Sequence, residues 1–275
     1  MTIKNYTLFC GIGDLLISRA MLPYFTQGQP ALVSPYIDLI QRYHPNDYQS
    51  YIPFVLDFMR LIFTKEHGFT VTETQGIPHN VHTLCQKQTP KFIKLNNFLT
   101  LPDYIPPVEK YICIHTKARA LYSDELNNIE SILSLINKSY PQDYKVIVLG
   151  EKTTIKSIEY SHVKVNSFYD IIMKIIDKNR LIDMSLDDFE KEKNSKLKQL
   201  RKDCTIIFKA EVNLNIGIGG ATCLAASCGN SVVYLPKDCK REFEDVNNLI
   251  FNNTENTYRT YDPNQTIEKM LKFRR

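Results

Sequence analysis

The sequence has no CxxC pair, no long apolar run and no strong excess of either charge. Each absence closes a class. Seven cysteines, an odd number without paired spacing, do not make a secreted disulfide scaffold, and a reducing compartment fits better. The most apolar stretch, Ile52 to Phe63, carries Asp57 and Arg60 and is too short to span a bilayer. The opening MTIKNYTLFCGIGD has no apolar core of a signal peptide, so a soluble, cytoplasmic protein is expected. A formal net charge of +4 is too weak for the basic stripe that nucleic acid requires, so nucleic acid is not expected as a partner, whereas small anions such as phosphate esters are. No internal repeat and no low-complexity segment occur.

What the chain has is alternation. Of its 275 residues, 43% are hydrophobic and 23% charged, as in globular proteins, and the length suggests about two domains. Thr7 to Cys10 is a short apolar run, followed by Gly-Ile-Gly-Asp and then apolar residues at helical spacing. That is strand, glycine turn and helix, the opening of an α/β domain. Ala31–Val33 reads as a strand, Pro35–Tyr43 and Ser50–Lys65 as helices, and 81–84 and 92–95 as short strands. Pro102, Pro106 and Pro107 then remove backbone donors, so neither helix nor central strand crosses this segment. A domain boundary is placed there, giving lobes of residues 1–105 and 106–275. Beyond it, Tyr111–His115, Lys145–Leu149, 163–165, Thr205–Phe208, Leu214 to residue 218 and Ser231–Leu235 read as strands. Segments 124–138 (capped by residue 123 or 124), Tyr169–Ile176, 186–200, Ala221–Cys228, 242–250 and Thr266–Phe273 read as helices. The fold class expected is α/β, with two Rossmann-like lobes facing across a cleft.

Four segments have the makings of a site. Gly11-Ile12-Gly13-Asp14 is a strand-to-helix turn whose backbone N–H groups a ligand can approach. A dinucleotide fingerprint needs a third glycine where Leu16 stands, which disfavours NAD. Asp14 either caps the helix or projects as a general base at the strand end. The run Gly219-Gly220-Ala221-Thr222 opens a small-residue helix, where N–H groups and dipole favour a diphosphate and Thr222 has a hydroxyl to add; tight packing is the alternative. His115-Thr116-Lys117-Ala118-Arg119 follows a strand, where open α/β sheets bind ligands, and Lys117 and Arg119 can neutralise phosphate unless the loop is simply solvated. Gly150-Glu151-Lys152 is the equivalent end of the next strand, and together with His115 it is a place for a nucleoside. His79 and His82 lack further ligands at metal spacing, Cys10 and Cys113 read as buried apolar residues, and no Asp-x-Asp triplet occurs, so no metal and no cofactor is expected.

The GxGD turn, the proline-rich midpoint, the strand-end basic residues and the late GGAT-x-LAA helix together resemble the GT-B glycosyltransferases, and within them the heptosyltransferase-like family. Residues Cys10 to Ala20 match that family's opening, and Cys223-Leu224-Ala225-Ala226 through Val232-Val233 match its late motif. Ile218 stands where the family has an Asp and Cys223 where it has a His, so the resemblance carries no donor specificity. It implies a metal-independent, inverting transfer from a nucleotide diphosphate sugar to a glycan or glycolipid hydroxyl, with Asp14 as base, Gly13, Lys117, Arg119 and the Gly219–Thr222 turn near the diphosphate, and polysaccharide biosynthesis as setting. A glycolipid acceptor would bring peripheral membrane contact. It also implies a last helix that crosses back onto the first lobe. A sugar-nucleotide epimerase, a polysaccharide pyruvyl transferase and a non-catalytic glycan or sugar-nucleotide binder stay open as alternatives.

Overall fold

A computed structural model describes residues 3–43, 48–79, 94–119, 126–152, 165–186, 196–217, 219–235 and 256–274. The first sheet comprises β1 (Lys4–Leu8), β2 (Ala31–Pro35), β3 (Phe69–Val71) and β4 (Ile77–His79), all parallel in the order β3-β2-β1-β4. Its helices are α1 (Ile12–Thr26), α2 (Ile37–Tyr43) and α3 (Tyr48–Ile62). The second sheet comprises β5 (Tyr111–His115), β7 (Lys145–Leu149), β9 (Leu181–Asp183), β10 (Asn213–Ile216), β11 (Ser231–Tyr234) and β12 (Thr257–Thr260). These too are all parallel, in the order β12-β11-β10-β5-β7-β9. A two-stranded antiparallel ribbon pairs β6 (Lys117–Arg119) with β8 (Val165–Ser167). The remaining described helices are α4 (Asn96–Leu99), α5 (Leu126–Ser139), α6 (Tyr169–Ile175), α7 (Lys196–Lys209), α8 (Gly220–Cys228) and α9 (Pro263–Leu271).

The protein is therefore an α/β fold of two Rossmann-like lobes. Strand order reverses between β1 and β4 in the first sheet and between β5 and β10 in the second. In open parallel sheets the crevice outside the carboxyl ends at such a reversal is where ligands bind. The central strands are continuous apolar runs, as burial on both faces demands: every residue of β5 and β11 is buried.

The faces of the second sheet divide two cores. Ile112, Ile114, Val146 and Val148 pack with α5, α6 and α9. Tyr111, Cys113, Ile147 and Leu149 belong to a core that runs through α7 and α8 into α1, α3 and the first sheet, as far as Leu8, Val33 and Phe58. The lobes are thus joined by continuous apolar packing along α1 and α8. Segment 94–104 is strapped to the second-lobe helices: Leu95 N–H donates to Ser227 O at 2.9 Å, Leu101 N–H to Thr205 Oγ1 at 2.7 Å, and Lys209 Nζ to Tyr104 O at 2.9 Å. A boundary at residue 105 falls at the end of this strap.

Several sequence expectations are corrected. Thr205–Phe208 is not a strand but the end of α7; Leu200, Cys204 and Ile207 recur at helical spacing on its buried face, and that packing overrides the β-branched composition. Residues 94 and 95 precede α4 and form no strand. Leu186 is in an isolated bridge with Glu151 rather than in a helix. The last helix, α9, does not return to the first lobe: its Ile267 and Met270 enter the second-lobe core, and it packs on α5, β11 and β12. Its Asp262 cap, accepting from Gln265 N–H at 2.9 Å, fixes its start beside β12. Strands β3, β4, β9 and β12, three or four residues each, went unforeseen. Expected elements at 81–84 and 242–250, His82 and the cap at 123–124 lie outside the described residues.

Candidate functional site

The two glycine turns sit at the two reversal points and meet. Gly13, in the first turn of α1, follows β1; Gly220, the first residue of α8, follows β10. A Cβ placed on Gly13 would lie 3.4 Å from Gly220 Cα and 3.4 Å from Cys223 Sγ, and one on Gly220 would lie 3.7 Å from Gly13 N. The helix N-termini of the two lobes therefore approach closely, with a Cβ at either glycine in van der Waals contact with the other turn.

Asp14 is the third residue of α1, half-buried, with its carboxylate folded back over Gly11. A Cβ on Gly11 would stand 2.5 Å from Asp14 Oδ2, so a side chain here would make the carboxylate shift. Gly11 has no side chain to cap the helix, and an acidic residue at the third position is favourable against the free N–H groups. The residue stands in the first turn of α1, just past the carboxyl end of β1. Cys10, adjacent, has its thiol pushed up to about 12, chiefly by burial, with the Asp14 charge adding to the shift. It is an inert, buried residue.

At the start of α8, the first intrahelical bond of the ladder is Cys223 N–H to Gly219 O at 3.1 Å. The N–H groups of Gly220, Ala221 and Thr222 have no acceptor within the helix. Gly219 has an extended backbone and nothing within 4 Å of where its Cβ would be, so open space adjoins this end. Thr222 corrects the sequence reading: it is buried, and its hydroxyl donates to Gly217 O at 3.0 Å, closing the turn instead of facing a ligand. The Cα of Gly220 is turned toward Gly13 and Ile12 of α1.

His115 is also placed differently from the expectation of a nucleoside contact. It is 4% exposed, at the end of β5, and its Nε2 has no hydrogen-bond partner among the described residues. Burial pushes its imidazole down to about 4, against an opposing influence of Asn213, so it is neutral at pH 7. Thr116 Oγ1 donates to Glu151 O at 2.7 Å, and Gly150, at φ +108°, has this hydroxyl where a Cβ would go. Glu151 is buried, and Ser167 Oγ donates to its carbonyl at 3.2 Å. The Gly150–Lys152 turn is thus built into the sheet end. Lys117 and Arg119 form β6, against β8, rather than a free loop; their side chains lie outside the described residues.

Sequence reasoning missed Asp183. At the carboxyl end of β9 it accepts from Tyr169 OH at 2.7 Å and from Ser185 N–H at 3.0 Å, with Lys152 Nζ at 3.8 Å. These bonds outweigh its desolvation and hold its carboxyl below the ordinary value. A three-residue strand gives too short a pattern to mark the position. Among the described residues no group of three His, Cys, Asp or Glu side chains is arranged to hold a metal, and no helix is long and apolar enough to cross a membrane.

No protein-family profile and no curated protein matches the sequence. Among solved structures, the chain is similar to the E. coli ADP-heptose LPS heptosyltransferase II, with a TM-score of 0.45 and 10% identity over 99% of this chain and 98% of that one. It is similar to a glycosyl transferase family 9 protein from Veillonella parvula, with a TM-score of 0.45 and 9% identity over 99% and 92%. A third is the UDP-GlcNAc 2-epimerase from Methanocaldococcus jannaschii, at 0.37 and 11% over 95% and 73%. With TM-scores below 0.5, these likenesses decide nothing about activity.

Proposed function

We propose that the protein is a GT-B glycosyltransferase that moves a sugar from a nucleotide diphosphate sugar to an acceptor hydroxyl, with inversion and without a metal. The observation that supports this reading is the meeting of the two glycine turns, which brings the first turn of α1, where Asp14 stands, to the N-terminus of α8. Asp14 takes the proton from the acceptor hydroxyl as that oxygen attacks the anomeric carbon, and the bond to the diphosphate breaks on the opposite face. The departing charge is met by the N–H groups of Gly220 and Ala221 and by the α8 dipole, with Lys117 and Arg119 supplying cationic contacts from β6. Because Thr222 holds Gly217, those N–H groups are pre-organised before any ligand arrives.

A thermal-shift screen over nucleoside diphosphates and nucleotide sugars tests binding, and mass spectrometry of reactions with and without a hydroxyl acceptor tests transfer. Acceptor-dependent product that survives excess EDTA is expected. Interconversion of the free sugar nucleotide without acceptor would assign the site to an epimerase, and loss of activity on chelation, restored by magnesium or manganese, would overturn the metal-free route.

A further inference from the structure

We propose that the recess at the foot of the first lobe, between the start of β1 and the end of α1, is a binding site for a small monoanionic acid with an aromatic body. The recess holds about 480 Å³, within the range of sites for small organic molecules, roughly 300 to 1,000 Å³. Strand alternation puts Lys4 and Tyr6 on one face of β1, and the register sets the small Ala31 of β2 beside Lys4, so these three form one floor. Phe25 and Gln27, at the end of α1, and Pro30 close the recess over that floor. Gln27 has φ +51°, in the left-handed region that favours glycine, and no other non-glycine among the described residues has a positive φ. A glycine would end the helix at lower cost. The side chain kept there instead lines the recess, and its amide has no hydrogen-bond partner among the described residues.

The chemistry of the walls selects the occupant. The rings of Tyr6, Phe25 and Pro30 offer flat apolar contact. Among the described residues Lys4 is the one charged side chain lining the recess, and it is exposed and has no ion pair there. The Tyr6 hydroxyl has no hydrogen-bond partner among the described residues either. Burial raises its pKa, so at neutral pH it keeps its proton and donates a hydrogen bond. One ammonium and one phenol match a single acid group. They do not match a phosphate dianion, since α1 brings its C-terminus here, where the dipole is negative, and no described arginine lines the recess. Gly13 stands in the first turn of α1 and Gln27 is its C-cap, so about 20 Å of helix separates the recess from the meeting of the glycine turns. The inference therefore stands apart from the proposed glycosyl transfer.

The test is calorimetric titration of the full chain with naphthylacetate and with its neutral twin naphthylacetamide. Wild type is expected to bind the acid about fivefold more tightly than the amide, the worth of one exposed charge pair, with the difference lost at high salt. Lys4→Gln should bring the acid to the affinity of the amide. Gln27→Gly should weaken both probes severalfold while the melting temperature holds or rises, because glycine relieves the left-handed backbone. A side chain with a merely structural role would lose stability instead. Nucleoside diphosphate thermal shifts should be those of wild type in both variants. No saturable binding by wild type, equal affinities for acid and amide, or wild-type affinity for the acid in both variants overturns the proposal. So does displacement of the acid by a nucleoside diphosphate, which would put it in the cleft between the lobes.

Discussion

At the scale of the residue, Gly11 and Asp14 form one device. The missing Cβ of Gly11 leaves the space that Asp14 Oδ2 occupies, so both residues determine where the carboxylate sits. Asp14→Asn is expected to lower turnover by about a hundredfold or more while nucleoside diphosphate affinity is kept, because the amide cannot take a proton. Asn caps a helix nearly as well as Asp, so α1 should persist. Gly11→Ala should act in the same direction without touching the carboxylate's chemistry, by displacing it. Steady-state kinetics beside circular dichroism checks both. Wild-type turnover in a folded Asn variant would leave Asp14 a helix cap and nothing more.

At the scale of the element, the α1–α8 contact separates two glycines that look alike in sequence. Gly219 adjoins open space, and Gly220 faces Gly13. Gly219→Val should keep the melting temperature and weaken nucleotide binding, whereas Gly220→Val should push α1 from α8 and lower the melting temperature. Thr222→Val removes a buried hydrogen bond worth about 1 kcal/mol, so it should cost stability and spare phosphate affinity. Calorimetry and differential scanning on the three variants check these outcomes. The same contact shows how far the sequence could be read. The turns, the long helices and the central strands announce themselves through glycine placement and apolar runs. The edge strands β3, β4, β9 and β12 do not, because three or four residues hold too little of a period, and neither does the helical end of α7, whose Thr-Ile-Ile-Phe is strand-like in composition. That Gly13 would touch Gly220 across more than two hundred residues, and that Thr222 would turn inward, are facts of tertiary packing with no local signature. Lys117 and Arg119 were legible as basic, but not as part of a ribbon.

At the scale of the whole molecule, one apolar core spans both lobes, and two ionisable groups on the second-lobe side of it, the buried His115 and the half-buried Asp203, set how stability varies with pH. His115 is held down to about 4 by burial, from an ordinary value of 6.5. Between those values the unfolded chain takes a proton that the folded chain refuses, so this group makes stability fall as pH drops through that window. Asp203 on α7 is raised to about 7 from 3.8, by desolvation first, against the opposing Gln199 amide and Lys202 charge. Here the folded chain holds a proton that the unfolded chain has lost, so stability falls as pH rises from about 4 to about 7. The two slopes have opposite sign and overlap across roughly pH 4 to 6.5, and in wild type they offset each other there. Asp203→Asn keeps a partner for the Gln199 amide, now 2.8 Å from the carboxylate oxygen, while removing the titration. That variant should melt above wild type at pH 8, where a desolvated charge has been deleted, and its melting temperature should fall more steeply than wild type between pH 6.5 and 5, where the His115 slope acts alone. His115→Gln should do the reverse, losing stability from pH 5 to 7 more steeply than wild type. Melting curves at unit steps from pH 5 to 8 measure both. Parallel curves for wild type and Asp203→Asn would mean that Asp203 titrates at its ordinary value, open to solvent, and that the α7 face of the shared core is wetter than its packing indicates.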